Sequence, residues 1–208
     1  MDENMKKRNE RLAQTVIKGL QSRNMTGYYA EDKEAALKQA LELIKENSTI
    51  SMGGCMSAHE IGLVQALQEG NYQYLDRSKM ESREGLLAAY DSDVFLSSAN
   101  AMTSDGILVN IDGNSNRVSC IAQGPKKVIF IVGMNKVCDD LDSAMKRARN
   151  VAAPINAQRF EVKTPCKETG KCFDCKSPDT ICCQFLITRY SRHTGRIHVI
   201  LVNDNLGF

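Results

Sequence analysis

The sequence predicts a layered α/β fold, a mainly parallel sheet with helices on both faces. Segments of strand and helix character alternate along most of the 208 residues, the pattern that successive βα units produce. Residues 127–132 form an uninterrupted run without polar alternation, which suits an inner strand covered on both sides. No internal repeat, low-complexity tract or linker divides the chain, so residues 1–208 are read as one domain, long enough to bury a sizeable core.

The elements follow in order. Residues 2–22 read as an amphipathic helix with Leu12, Val16, Ile17 and Leu20 on one face, stopped between Asn24 and Gly27. Tyr28, Tyr29 and Ala30 make a short strand, and Asp32 caps a helix running to about Glu46. Residues 49–52 are a strand that enters Gly53-Gly54. Ser57 and Glu60 then form a capping box for a helix that Gly70 and Asn71 end. A strand at 72–75, a helix at 83–90 and a strand at 93–97 come next. Asp105-Gly106 is a turn signal before the strand at 107–111, and Asn116 caps a short helix ending at Gly124-Pro125. After the apolar run, Asp139 or Asp140 opens a helix closed by Pro154. Residues 185–190 and 197–202 are expected as a terminal hairpin around His193, Thr194 and Gly195.

Composition removes several classes of function. Hydrophobic residues make up 42% and charged residues 25%, as in an ordinary soluble globule. A net charge of +2 and the absence of Trp leave neither a strong field nor a stacking platform for nucleic acid. No apolar run reaches the roughly 18–20 residues of a membrane-spanning helix, and no signal-peptide core stands at the N-terminus. A cytoplasmic protein without a membrane partner is expected.

Two polar constellations suit a ligand. The first is the strand, glycine loop and helix from Ser51 through Gly53, Gly54 and Cys55 to Ser57, where backbone N–H groups can meet an anion. Glu60 reads first as a cap and His59 as a rim residue. Cys55 is either a thiol acidified by the helix N-terminus or a small buried side chain. The second is the stretch with Ser98, Asn100 and Thr103, followed by Asn110, Asp112, Gly113, Asn114, Asn116 and Arg117. Hydroxyls and amides at a strand's C-terminal end are what an open α/β sheet presents to a ligand. Asp112 is a candidate base, Arg117 an anion clamp, and Asn100 and Asn116 hydrogen-bonding guides; Asx turns and caps explain the same residues. Lys136 adds a cation at the end of the inner strand. Arg147 and Arg149 read as a solvated helix face, and His193 and His198 have no evident partners. The crevice so outlined is expected to take a small anionic metabolite such as phosphate, CoA or a short organic acid.

The densest signal lies near the C-terminus. Cys166, Cys172, Cys175 and Cys182 follow C-x5-C-x2-C-x6-C spacing, with Cys183 directly after. In a reducing compartment such thiolates share a metal more readily than they form disulfides, and free redox-active thiols are the other alternative. Four sulfurs suit an iron–sulfur cluster or a zinc ion, and spacing alone does not choose. Cys183 is expected to stay outside the shared site, because adjacent cysteines cannot easily aim both sulfurs at one ion. The other three cysteines are scattered, Cys120 and Cys138 reading as small buried hydrophobes.

The stretch from Asp93 to Gly106, continuing through Asn110–Val118, Gly124–Val128 and Gly133–Lys136, resembles the lactate-utilisation (LUD) domain family, and the Cys166–Cys182 segment resembles a branch with a Cys-rich tail. The resemblance implies a three-layer α/β/α sandwich like that of sugar-phosphate isomerases and CoA transferases. It also implies a role in oxidising lactate or a related organic acid beside iron–sulfur redox partner proteins. A stand-alone enzyme for a phosphorylated sugar or acyl-CoA, and a zinc-stapled interaction module without chemistry, are the competing readings.

Overall fold

A computed structural model describes residues 2–208, Ser78 by its backbone alone. The chain runs α1 (Glu3–Ser22), β1 (Thr26–Ala30), α2 (Lys33–Leu43), β2 (Thr49–Met52), α3 (Met56–Glu60), α4 (Leu63–Glu69), β3 (Gln73–Tyr74), α5 (Ser82–Tyr90) and β4 (Val94–Ser97). It continues through β5 (Ala101–Thr103), β6 (Leu108–Asp112), α6 (Asn116–Ala122), β7 (Lys127–Gly133), β8 (Val137–Cys138), α7 (Leu141–Arg147), α8 (Ala153–Ala157), α9 (Pro165–Thr169), β9 (Gln184–Thr188) and β10 (Ile197–Val202).

Six strands in the order β1-β10-β7-β4-β2-β3 form one sheet in which every neighbouring pair is parallel. The uninterrupted run of β7 is the reason it lies inside. Val128, Phe130 and Val132 enter one core with Val16 and Leu20 of α1 and Ile121 of α6. Ile129 and Ile131 enter the other, with Ala36 and Ala40 of α2 and Leu63 and Leu67 of α4. Alternate side chains thus face opposite helical layers, making the three-layer sandwich, and each such burial stabilises the fold by about 1.5–3 kcal/mol. A smaller sheet, β8-β5-β6-β9, joins β5 and β6 from the connection between β4 and β7 to β8 and β9 from the chain after β7, with β5/β6 and β6/β9 antiparallel and β5/β8 parallel. Its inner face packs on α7 and the turn that follows it through Ala101, Val109, Ala144 and Ala148.

Two expectations are corrected. The terminal strands are not a hairpin: β9 joins the small sheet against β6, while β10 lies between β1 and β7 in the large one. All six residues of β10 are buried, whereas none of the five in β9 is, so burial on two faces separates them despite the nearby turn. Nor does Pro154 close the helix after Asp140. A π turn at Ala148–Ala152 carries the chain into α8, where Pro154 occupies the first turn and its missing N–H needs no partner.

Candidate functional site

Because β2, β4, β7 and β10 are parallel, their following residues gather at one edge of the sheet. They are Gly53-Gly54, Ser98 to Asn100, Lys136 and Gly207. After β2 the chain goes to α3 and α4 on one face of the sheet; after β4 it goes by way of the small sheet to α6 on the other. The divergence opens a crevice between the two strand ends. A cavity of about 600 Å³ occupies it, within the usual range for small-molecule sites.

Its floor is made by Lys136, which is only 3% exposed. The Lys136 Nζ lies 3.0 Å from Ser98 Oγ and 3.4 Å from Ser57 Oγ, and the two hydroxyls are 3.4 Å apart. Ser98 is held by its carbonyl, which accepts from the Asn110 amide at 2.9 Å. The tail closes over this group. A side chain at Gly207 would meet Lys136 Nζ at 3.0 Å, and the Gly207 N–H donates to the Glu60 carboxylate at 3.0 and 3.2 Å. Burial pulls the Lys136 ammonium down to about 8; Arg147 and Arg117 act in the same direction, while Cys55 and Glu60 oppose it. Among the described residues no ion pair joins Lys136 to a carboxylate.

One wall is a closed hydrogen-bond set around Arg117. Its Nη2 donates to Asn100 Oδ1 at 3.0 Å and to the Ile111 carbonyl. The Asn100 oxygen also accepts from the Ile111 N–H at 2.8 Å. Gly53 is required beneath it, since a Cβ there would meet Arg117 Cγ and Phe95 Cζ at 2.9 Å, and Gly54 adopts φ +52°. Asp112 caps α6, accepting from the Arg117 N–H at 2.9 Å, the Val118 N–H at 3.0 Å and the Asn114 N–H at 3.1 Å. Its carboxylate is therefore a structural acceptor rather than a free base, and the cap comes from Asp112 rather than Asn116. The capping box also fails: Cys55 is the N-cap of α3 without a side-chain bond, Gly62 breaks the helix after one turn, and Ser57 faces the cavity instead. The Cys55 thiol is 2% exposed, and burial pushes its pKa up, opposite to an acidified nucleophile.

The expected ligand residues Gly53, Gly54, Ser57, Ser98, Asn100, Asp112, Gly113, Asn114, Asn116, Arg117 and Lys136 all line this one cavity. Thr103 does not. It lies at the far end of β5, fully buried, bonded to the Asp105 carboxylate and accepting from the Ile107 N–H at 2.8 Å. Arg77, Asn156, Arg159 and the tail also line the cavity and carried no signal in the sequence. With its amide oxygen turned toward Arg77, Asn116 accepts from that guanidinium at 3.0 and 3.2 Å. Arg147 is not a solvated residue: it braces the crevice from behind, donating to the Asn135 carbonyl at 3.0 Å and the Asn100 carbonyl at 2.5 Å. His198 has partners as well, Tyr28 Oη at 3.0 Å and the Gly195 carbonyl at 2.8 Å.

The cysteine segment forms the opposite wall. Pro178, Asp179, Thr180 and Ile181, between Cys175 and Cys182, line the cavity, and the Ile181 backbone packs against Gly113 at a distance of 3.2 Å from the position of a Cβ. The Cys183 N–H donates to the Asp112 carbonyl at 2.9 Å, anchoring the segment to β6. Cys182 turns inward to the small core while Cys183 is exposed. Burial pushes the Cys182 thiol up to about 11, with Cys166, Cys172, Cys175 and Cys183 adding to the rise. Arg149 pairs with Asp174 at 2.6 Å and stands 3.8 Å from Cys172 Sγ, so it too belongs to this segment. The sulfurs are neighbours, yet among the described residues no three His, Cys, Asp or Glu side chains are arranged to hold a metal ion.

The sequence profile of the LUD domain matches residues 13–202. Among solved structures, a DUF162 family protein from Deinococcus radiodurans aligns over 93% of this chain and 98% of its own at 13% identity, with a TM-score of 0.53, a likeness of fold. The eIF2B delta protein from Chaetomium thermophilum aligns over 67% of this chain and 57% of its own at 15% identity, with a TM-score of 0.34. No curated protein matches the chain.

Proposed function

We propose, for a chain that belongs to the LUD domain family and so to lactate-utilisation-related proteins, that the sheet-edge cavity binds a short organic acid. In this reading the protein is a cytoplasmic component of an organic-acid oxidation system. The carrying observation is the charge balance of the cavity. Arg77, Arg117, Lys136 and Arg159 line it, while its two lining aspartates are engaged: Asp112 caps α6 and Asp179 accepts from the Lys163 N–H at 2.9 Å. A small carboxylate supplies the charge that the cations lack, and the buried setting strengthens that attraction.

The cysteine segment is the second half of the proposal. Cys166, Cys172, Cys175 and Cys182 suit a soft metal in donor chemistry and in neighbourhood, but not in their present arrangement. Metal binding would draw them together and order the segment. An iron–sulfur cluster supplies one-electron transfer when bound, and zinc, the alternative, only cross-links. An iron–sulfur redox protein is the partner to seek.

Calorimetric titration with lactate, pyruvate, inorganic phosphate and CoA tests the site. An anion bound beside Lys136 favours the ammonium, so affinity should fall as pH rises through about 8. Binding of CoA or phosphate alone would favour the acyl-CoA or sugar-phosphate reading. Binding of none would reject the cavity as a ligand site. Anaerobic reconstitution followed by iron, sulfide and zinc analysis decides the metal.

A further inference from the structure

We propose that Lys136 is a covalent nucleophile whose amine condenses with the carbonyl carbon of a substrate carrying an anionic group, forming an imine inside the cavity. The inference rests on the anion-site reading and goes beyond it, since binding alone needs no bond.

The geometry around the nitrogen carries it. An ammonium has three N–H donors and is normally buried only against carboxylates or carbonyls. Lys127 follows that rule, its Nζ donating to the Leu43 carbonyl at 2.7 Å. Lys136 breaks it: its partners are the hydroxyls of Ser98 at 3.0 Å and Ser57 at 3.4 Å. A hydroxyl donates as readily as it accepts, so the same two serines satisfy a neutral amine and leave it the lone pair that nucleophilic addition needs. Burial favours the same state. With Arg147 and Arg117 it resists protonation of Lys136 against the opposing pull of Cys55 and Glu60, and with a pKa of about 8 roughly a tenth of the amine is neutral at pH 7. The arginines that line the cavity cannot lose their protons and remain to hold the substrate's anion.

The step balances without a redox co-reactant. The nitrogen pair adds to the carbonyl carbon, and the carbonyl oxygen takes the proton that nitrogen releases through the Ser57 and Ser98 hydroxyls. The C–O bond of that carbinolamine then breaks, nitrogen forms the C=N bond, and the oxygen leaves with the second nitrogen-derived proton as water. The imine makes the adjacent C–H bond more acidic, an advantage that an ion pair does not provide.

Trapping on the unmodified protein tests the proposal. The chain is incubated with pyruvate, or with dihydroxyacetone phosphate, in the presence of cyanoborohydride, and its peptides are mapped by mass. The expected result is a gain equal to the probe's mass less one oxygen atom, confined to the peptide containing Lys136, dependent on reductant and faster above pH 8 than below it. An adduct with pyruvate assigns the anion as a carboxylate, and one with dihydroxyacetone phosphate as a phosphate. Calorimetry with the same probes separates the two levels of the reading. A probe that binds without forming an adduct overturns the imine and leaves the anion site standing; neither binding nor adduct for both probes overturns both. Adducts spread over exposed lysines also overturn the imine. Ser98→Ala should slow trapping at least tenfold at saturating probe, where any change in affinity no longer counts, an effect that a merely structural serine does not produce.

Discussion

The two walls of the cavity are built differently. On the sheet side, Asn100, Asp112 and Arg117 satisfy one another through bonds fixed by β6 and α6, and Lys136 is locked beneath them. On the cysteine side, the regular element is the five-residue α9, and three of the sulfurs bond within their own segment, Cys166 Sγ at 3.4 Å from Thr164 Oγ1, Cys183 Sγ at 3.6 Å from the Thr180 carbonyl and Cys175 Sγ at 3.9 Å from Thr180 Oγ1. One wall is finished by folding itself, whereas the other places its donors near one another and leaves their convergence to a further event. Because Pro178 to Ile181 join the two, that event would be felt in the cavity.

The largest expected effect tests how far the finished wall is kept at the expense of stability. Lys136→Met should raise the unfolding free energy at pH 7 by about 2–3 kcal/mol while removing anion binding. The sign follows from a folded pKa of about 8 against 10.5 for an ordinary lysine. The unfolded chain holds more protons between those values, so wild-type stability rises with pH across that window and the advantage of the variant closes. Urea melts over a pH series measure it, and a variant less stable at pH 7 would contradict the picture of a costly buried amine.

Gly53→Ala presses a methyl group onto Arg117 and Phe95 at 2.9 Å. It should cost about 1–3 kcal/mol and weaken binding of any cavity ligand, read by the same melts and by calorimetry. Removing the α6 cap with Asp112→Ala should cost about 1 kcal/mol. A neutral result there would free Asp112 for the role of base that its structural bonds now deny it.

The smallest global effect belongs to the cysteine wall. Cys182→Ser in metal-free protein should change global stability by less than about 1 kcal/mol, because its segment adds little to the core. Amide exchange across residues 164–183 should be fast without metal and slow after reconstitution, and the loss of a single one of the four cysteines should abolish the slowing while Cys183→Ser should not. Protection of that segment in the metal-free protein would erase the contrast between the walls.

Much of the site was legible because strand ends announce themselves locally. Gly53-Gly54 after β2, Ser98 after β4 and Lys136 after β7 each follow a recognisable strand, and parallel strands must bring such ends to one edge. Thr103 misled because it shares a polar stretch with Asn100; three residues of β5 carry it away from the crevice. Arg147 misled because its helix has an ordinary charged face, and its carbonyl partners at Asn100 and Asn135 belong to other elements. The tail carried no local sign at all.

By itself, the sequence determined the layered α/β class, the inner position of β7 and the gathering of four cysteines in one short segment. Those outcomes depend on burial period and chain proximity, which local residue order encodes. Tertiary structure alone decided that β10 enters the large sheet while β9 leaves for the small one, and that Lys136 lies buried against Ser57 and Ser98 under Gly207. Each of these depends on which surfaces meet across long stretches of chain. Hydrogen-bond satisfaction and desolvation at such meetings are set by packing, and no spacing in the sequence records them.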